Sequence, residues 1–254
     1  MPKYPKDDPN LPEDFQEPRP FNPVAWWVSI GLLCAVILAS SIFVTGAYRN
    51  RRIYEAENYR PPYMFKLETD LKATNRDGEK ISFNDDLFKK KVFVAGYQYT
   101  DCPAGCLGMA ALMKDLHETF SEKYPHFQLV SISVNPAGDS PEKMNAWVKD
   151  KGIDTENWWF LTGDEKQIKS YMRDEFKMLE TQEITDPAIV VAEGPLAHDQ
   201  RLVIVDEFSN IRGFYRVMNP QVGAKEYERL KYDLEFVLED FDPDDPSKQK
   251  LPSK

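Results

Sequence analysis

The chain has 254 residues, 42% of them hydrophobic and 29% charged, with 42 acidic side chains against 32 basic ones and a net charge of -10. That length allows one well-buried domain with appendages, and the acidic balance is the opposite of what a phosphate-binding surface needs, so nucleic acid is excluded as a partner. Three cysteines cannot build a disulfide framework. Two of them, Cys102 and Cys106, stand four positions apart, so sulfur here points to chemistry at one site.

Residues 1–23 are rich in proline and acid and poor in apolar clusters, the composition of a tail that does not order itself. Residues 24–47 then run without a single charge. At about 1.5 Å per residue they reach roughly 36 Å, enough to cross a hydrocarbon core as one helix. Trp26 and Trp27 at one end and Tyr48 at the other suit the two membrane interfaces. The run is too long, and the residues before it too acidic, for a cleaved signal peptide. Gly31, Ala35 and Ala39 form a small-residue stripe that would admit a neighbouring membrane helix, although a lone lipid-facing anchor accounts for it equally well. Cys34 lies in this run and is read as inert. Arg49, Arg51, Arg52 and Arg60 follow the span, so the positive-inside rule places the large domain on the cytoplasmic or matrix side.

A linker covers residues 48–63, and the main domain residues 64–240. A short strand is expected at 64–67. Asn75-Arg76-Asp77-Gly78 has hairpin-turn chemistry ahead of a strand at 80–83. Residues 91–97 form an apolar strand. A helix is predicted from about Pro103 to Tyr124, with Met109, Leu112, Met113, Leu116 and Phe120 on one core-facing stripe. A second apolar strand at 127–134 precedes a helix at 141–150, with Pro141 in its first turn. A strand at 158–161, a helix at 164–176, a hairpin of 202–206 with 212–216 turning at Ser209-Asn210, and an amphipathic helix at 222–238 complete the domain. Residues 241–254, carrying Asp242, Asp244 and Asp245, read as an acidic solvated tail. This order predicts an α/β sandwich around a mixed sheet, the thioredoxin-like plan.

The chemistry concentrates in Tyr99-Thr100-Asp101-Cys102-Pro103-Ala104-Gly105-Cys106, where a strand ends and a helix begins. A helix N-terminus favours ionised thiols, and the thiolate is both nucleophile and metal ligand. In a first helical turn, positions i and i+4 share one face, so two sulfurs can converge on one small ion. Thiolates select Cu(I), zinc or iron–sulfur clusters. Structural zinc wants four protein ligands and no second cysteine pair exists, so a low-coordinate copper ion fits better. A pair that is simply buried or disulfide-forming is the competing reading. Of the three histidines, His117 and His126 belong on or just after the long helix as ordinary solvated residues. His198 lies in the loop Gly194-Pro195-Leu196-Ala197-His198 before an apolar strand, able to face the cysteines. Met109 and Met113 are soft donors in principle, but their helical spacing assigns them to the core.

Over about residues 64–238 the chain resembles the Sco family of copper proteins. Tyr99 through Cys106 is similar to its Tyr-Thr-x-Cys-Pro-x-x-Cys, and Asn135 through Glu142 resembles its Asp-Pro-x-x-Asp-x-Pro-Glu. Leu161-Thr162-Gly163 matches its Leu-Thr-Gly, and His198 with Asp206 its histidine and strand-ending Asp. The resemblance implies a thioredoxin fold, one N-terminal membrane anchor, and copper held by Cys102, Cys106 and His198. It also implies a place in assembling the binuclear copper site of cytochrome c oxidase, in a bacterial or mitochondrial inner membrane. The domain would then face the periplasm or intermembrane space, against the positive-inside rule. The partners implied are the oxidase's copper-site subunit or a respiratory supercomplex, and a copper donor protein. Leu107 stands where the family has Pro, Ala197 where it has Asp (Asp199 lies on the other side), and Asn135 where it has Asp. A carboxylate on the far nitrogen usually fixes a ligating imidazole, so the change at Ala197 predicts altered orientation of His198.

Three functions follow: a metallochaperone using all three donors; a thiol–disulfide reductase using Cys102 and Cys106 alone; and a resident structural subunit of an oxidase or supercomplex. A peroxidase fits less well, since Thr100 is two positions before Cys102 where the peroxiredoxin signature has three.

Overall fold

The computed structural model describes residues 22–57, 59–83, 89–103, 105–153, 156–245 and 247. The chain divides into two compact units, residues 1–59 and residues 60–254. The predicted tail at 1–23 lies outside the description except for its last two residues, as does most of the tail at 241–254.

The first unit is one helix, α1 (Pro23–Glu57). Asn22 starts it: its side-chain oxygen accepts from the N–H groups of Val24 and Ala25 at 3.1 and 3.2 Å, and Pro23 stands in the first turn, where a missing N–H costs nothing. Its apolar stretch, Pro23–Arg51, is long enough to cross a membrane by length and composition. The helix runs ten residues past the expected end of the span at residue 47, because Arg49 to Ala56 contains neither Gly nor Pro. The predicted linker is therefore mostly helical.

The second unit is built on an eight-stranded mixed sheet. Its strands are β1 (Phe65–Lys66), β2 (Lys72–Asn75), β3 (Lys80–Ser82), β4 (Val92–Gln98), β5 (Phe127–Ser133), β6 (Trp158–Thr162), β9 (Leu202–Val205) and β10 (Asn210–Tyr215), in the order β1-β10-β9-β4-β5-β6-β2-β3. β4, β5 and β6 are parallel, β9 runs antiparallel to β4, and β2 runs antiparallel to β6. β7 (Gln182–Glu183) and β8 (Leu196–Ala197) make a separate two-stranded sheet. Successive strand residues point to opposite faces. Val92 and Val94 of β4 thus join a core with Met109, Met113 and Leu116 of α2 (Gly105–Phe120), Val148 of α3 (Pro141–Asp150) and Leu230 and Leu234 of α6 (Gly223–Glu239). Phe93, Ala95 and Tyr97 join the opposite core with Ile168 and Met172 of α4 (Glu165–Asp174). The predicted α/β sandwich around a mixed sheet is thereby present.

α3 has the bounds expected of it, because Ser140 caps it and Pro141 opens it. α2 begins later than predicted. Cys102 and Pro103 stay in a turn, and the Cys106 N–H is taken by the Cys102 sulfur at 3.1 Å. The turn between β9 and β10 falls at residues 207–209, one step before its predicted place. The Asp206 carboxylate accepts from the N–H groups of Phe208 and Asn210, and Ser209 takes a positive φ of 65°. β7, β8 and α5 (Pro187–Glu193) lie in a stretch for which no element was expected.

Candidate metal centre

β4 and β5 end side by side, and the segments following them form the floor of the site. Asp139, in the loop after β5, is buried and binds the cysteine segment at two points, accepting from the Thr100 N–H at 3.1 Å and the Thr100 hydroxyl at 2.6 Å. It also accepts from Ser133 Oγ at 2.5 Å. Lys143 of α3 reaches Asp101 at 2.6 Å, an exposed pair that adds little energy. Asp139 is therefore the buried strut of the cysteine turn, a function its sequence position alone did not disclose.

The two thiols, both free, differ in surroundings. Cys106 is 1% exposed on α2, whereas Cys102 is half-buried in the turn before it. The hydrogen bond with Cys102 and burial, with a smaller push from Asp139, raise the Cys106 thiol far above its ordinary pKa, so it keeps its proton. Cys102 instead collects donors: the Cys106 N–H, and the hydroxyl of Tyr99.

His198 follows β8, and its Nε2 lies 3.9 Å from Cys106 Sγ across 92 residues of sequence. Metal–sulfur and metal–nitrogen bonds of about 2.3 and 2.0 Å put two donors of one ion about 3.5–4 Å apart, so this spacing suits a shared metal. Among the described residues no three His, Cys, Asp or Glu side chains already converge, and a small turn of Cys102 would have to complete the set. The far nitrogen, Nδ1, lies 3.1 Å from the backbone carbonyl of Asp199. As the donor it places the imidazole proton on Nδ1 and leaves the Nε2 lone pair toward the sulfur. The expected loss of orientation at His198 is thus made good by a main-chain oxygen. The Asp199 carboxylate is engaged elsewhere, with Arg201 at 2.5 Å and the N–H of Leu179 at 2.9 Å. Burial alone would raise this carboxyl, but Arg201 and the backbone donors outweigh it and hold it below its ordinary value.

Tyr99 packs edge-on to the His198 ring at 5.6 Å, and Tyr97 does the same at 6.4 Å. A cleft of about 320 Å³ opens beside His198, lined also by Arg201, Arg216 and the Met218 thioether. The other sequence-derived candidates lie apart from the cysteines. Met109 and Met113 are buried in the core. His117 contacts Ser121 Oγ at 2.9 Å, and His126 stacks on Phe241 with ring centres 3.8 Å apart, so neither is simply solvated. Asp206 bonds Asn210 and Arg212, closing a hairpin. Cys34 is exposed on α1.

The SCO1/SenC family model matches residues 62–229. The SCO1 protein homolog of Bacillus subtilis is 28% identical over 106 residues, 41% of this chain, and the chain spans about half (54%) of that relative's length. A solved SCO1/SenC family lipoprotein from Bacillus anthracis is 27% identical with a TM-score of 0.57, over 70% of this chain and 98% of its own. BsSco, described as having a disulfide switch and as a member of the Sco family of cytochrome c oxidase assembly proteins, is 21% identical with a TM-score of 0.53, over 70% and 98%. Yeast Sco1 with copper bound is 16% identical with a TM-score of 0.54, over 74% and 96%. The second unit therefore has the thioredoxin-like fold seen in these structures.

Proposed function

The chain belongs to the SCO1/SenC family, and from that membership we propose that it is a membrane-anchored metallochaperone, delivering copper to the binuclear copper site of cytochrome c oxidase and so assembling it. The observation that carries this is the 3.9 Å approach of His198 Nε2 to Cys106 Sγ, with Nδ1 occupied by Asp199 O. Two thiols and one imidazole, with Cys102 half-exposed, suit a soft ion held at low coordination and given up to another protein. Copper is cargo in this reading. Yeast Sco1 is described with copper bound and BsSco by its family's part in oxidase assembly, which supports carrying both properties to this chain. α1 serves as a single inner-membrane anchor, and the second unit works on the intermembrane-space or periplasmic side.

The test is a copper titration of the full chain in detergent, with Cys102→Ser, Cys106→Ser and His198→Ala beside it. One copper per chain is expected, with each substitution abolishing or distorting the site's spectrum. No binding, while the cysteines still cycle between thiol and disulfide, overturns it.

The free, unequal thiols favour a second reading, a thiol–disulfide reductase. Cys102 as thiolate attacks a target disulfide, releasing one target thiolate and forming a mixed disulfide. Cys106, once deprotonated, attacks Cys102, releasing the second thiolate and leaving a Cys102–Cys106 disulfide. His198→Ala separates the readings, since copper binding needs the imidazole and exchange does not.

A further inference from the structure

We propose that Tyr99 is a positioning residue of the donor set, whose phenol ties the cysteine turn to the histidine loop and favours the reduced thiols over a Cys102–Cys106 disulfide. The inference deepens the metallochaperone reading and rests on it for its significance, but its geometry stands without metal.

β7 and β8 explain why the phenol is free to act. Bonded and non-bonded residue pairs alternate along an antiparallel ladder. Ile184 N–H bonds the Pro195 carbonyl, so the next pair, Glu183 with Leu196, is of the non-bonded kind. The Leu196 N–H therefore turns away from β7, and it donates to the Tyr99 hydroxyl oxygen. With that oxygen accepting from the main chain, the phenol's single proton is directed at the Cys102 sulfur, with which it is hydrogen-bonded. Gly194 makes the approach possible: a Cβ there would lie 2.1 Å from the Tyr99 oxygen and 3.0 Å from Pro103 Cδ. The ring edge also meets His198 at 5.6 Å. One buried side chain thus touches both sequence-distant halves of the site.

The preference for the reduced state follows from acceptor strength. A thiol or thiolate sulfur bearing negative charge gains more from an O–H donor than a disulfide sulfur does. Oxidising the pair against glutathione converts dithiol and glutathione disulfide into protein disulfide and two glutathione thiols, so the loss of this bond appears directly in the equilibrium constant.

The measurement is that constant for the copper-free full chain in detergent, with Tyr99→Phe and Tyr97→Phe. Tyr97 is the control, because it is also buried and also faces His198. Tyr99→Phe is expected to favour the disulfide about tenfold, equivalent to about 30 mV, with Tyr97→Phe unchanged. If neither shifts, or both shift equally, the proposal is overturned. Should Tyr99→Phe fail to fold, 3-fluorotyrosine placed at position 99 by amber suppression, a stronger donor, must shift the constant toward dithiol, and no shift overturns the proposal. These metal-free readouts keep its failure distinct from failure of copper binding. In copper-loaded protein, Tyr99→Phe also moves the sulfur-to-copper charge-transfer band.

Discussion

Gly194 is where one missing carbon decides the geometry of the site. Its backbone, at φ 90° and ψ 173°, lies in a region that residues with a Cβ enter at a cost of about 1–3 kcal/mol. The Cβ would also collide with the Tyr99 hydroxyl oxygen. Gly194→Ala should therefore destabilise the chain by at least about 1–3 kcal/mol in urea unfolding and weaken copper binding by pushing the histidine loop off the cysteine turn. A variant of unchanged stability and affinity would show that the close approach is dispensable. At this scale the sequence exposed the donors but not their supports. Cys102, Cys106 and His198 are rare residue types with chemical signatures. Asp139 and Tyr99 act through contacts set by which strands end side by side, and Gly194 through a φ that no local pattern announces. Ala197 misled in an instructive way: the carboxylate expected beside the imidazole is absent, and a carbonyl, which every residue carries, orients the ring instead.

Among the elements, legibility followed the strength of local signals. β4 and β5 were readable because both are buried along their whole length and so appear as apolar runs. β7 and β8, two residues each, have no room for a periodicity. α5 did carry a signal, since Asp186 accepts from the Ala188 N–H at 2.9 Å and Pro187 opens the helix, a capped start legible as Asp-Pro. The end of α6 supplies a pH-sensitive joint. His126 Nε2 bonds the Leu238 carbonyl at 3.2 Å and its ring lies on Phe241. Burial, helped by Lys91, outweighs that bond and holds the imidazole below its usual pKa of 6.5. The unfolded chain then takes up the proton more readily than the folded one, so the contribution is present above about pH 6.5 and is lost as pH falls below it. Urea midpoints at about pH 7.5 and about pH 5.5 should fall further on acidification in the wild type than in His126→Asn. Equal losses would remove His126 from the account.

The whole molecule combines two units of different character, an apolar helix and an acidic chain's mixed-sheet domain, and length and composition revealed that division early. Register was beyond reach of the sequence, because it depends on pairings such as β4 with β9, strands separated by more than a hundred residues. Entry to the domain is fixed by Arg212, which donates to the Pro61 carbonyl at 2.7 Å, pairs with buried Asp206 at 3.3 Å and stacks over Tyr63. The same long-range closure brings Cys106 and His198 together across 92 positions. A ligand that binds only the folded chain stabilises it by mass action, by about 4 kcal/mol at a thousandfold excess over its dissociation constant. Copper should accordingly raise the melting temperature, the increment should disappear on chelation, and His198→Ala should lack most of it. An unchanged melting curve would mean that the unfolded chain holds the ion equally well.

Because the cysteine turn contributes only sulfur and the imidazole arrives only once β4, β9 and the loop between α5 and β9 are in place, the full donor set certifies completed folding. A half-translated or damaged chain offers two thiols and no third arm, and so competes poorly for the ion. Cargo loading then doubles as proofreading: the metal is withheld from misassembled copies without any separate inspector.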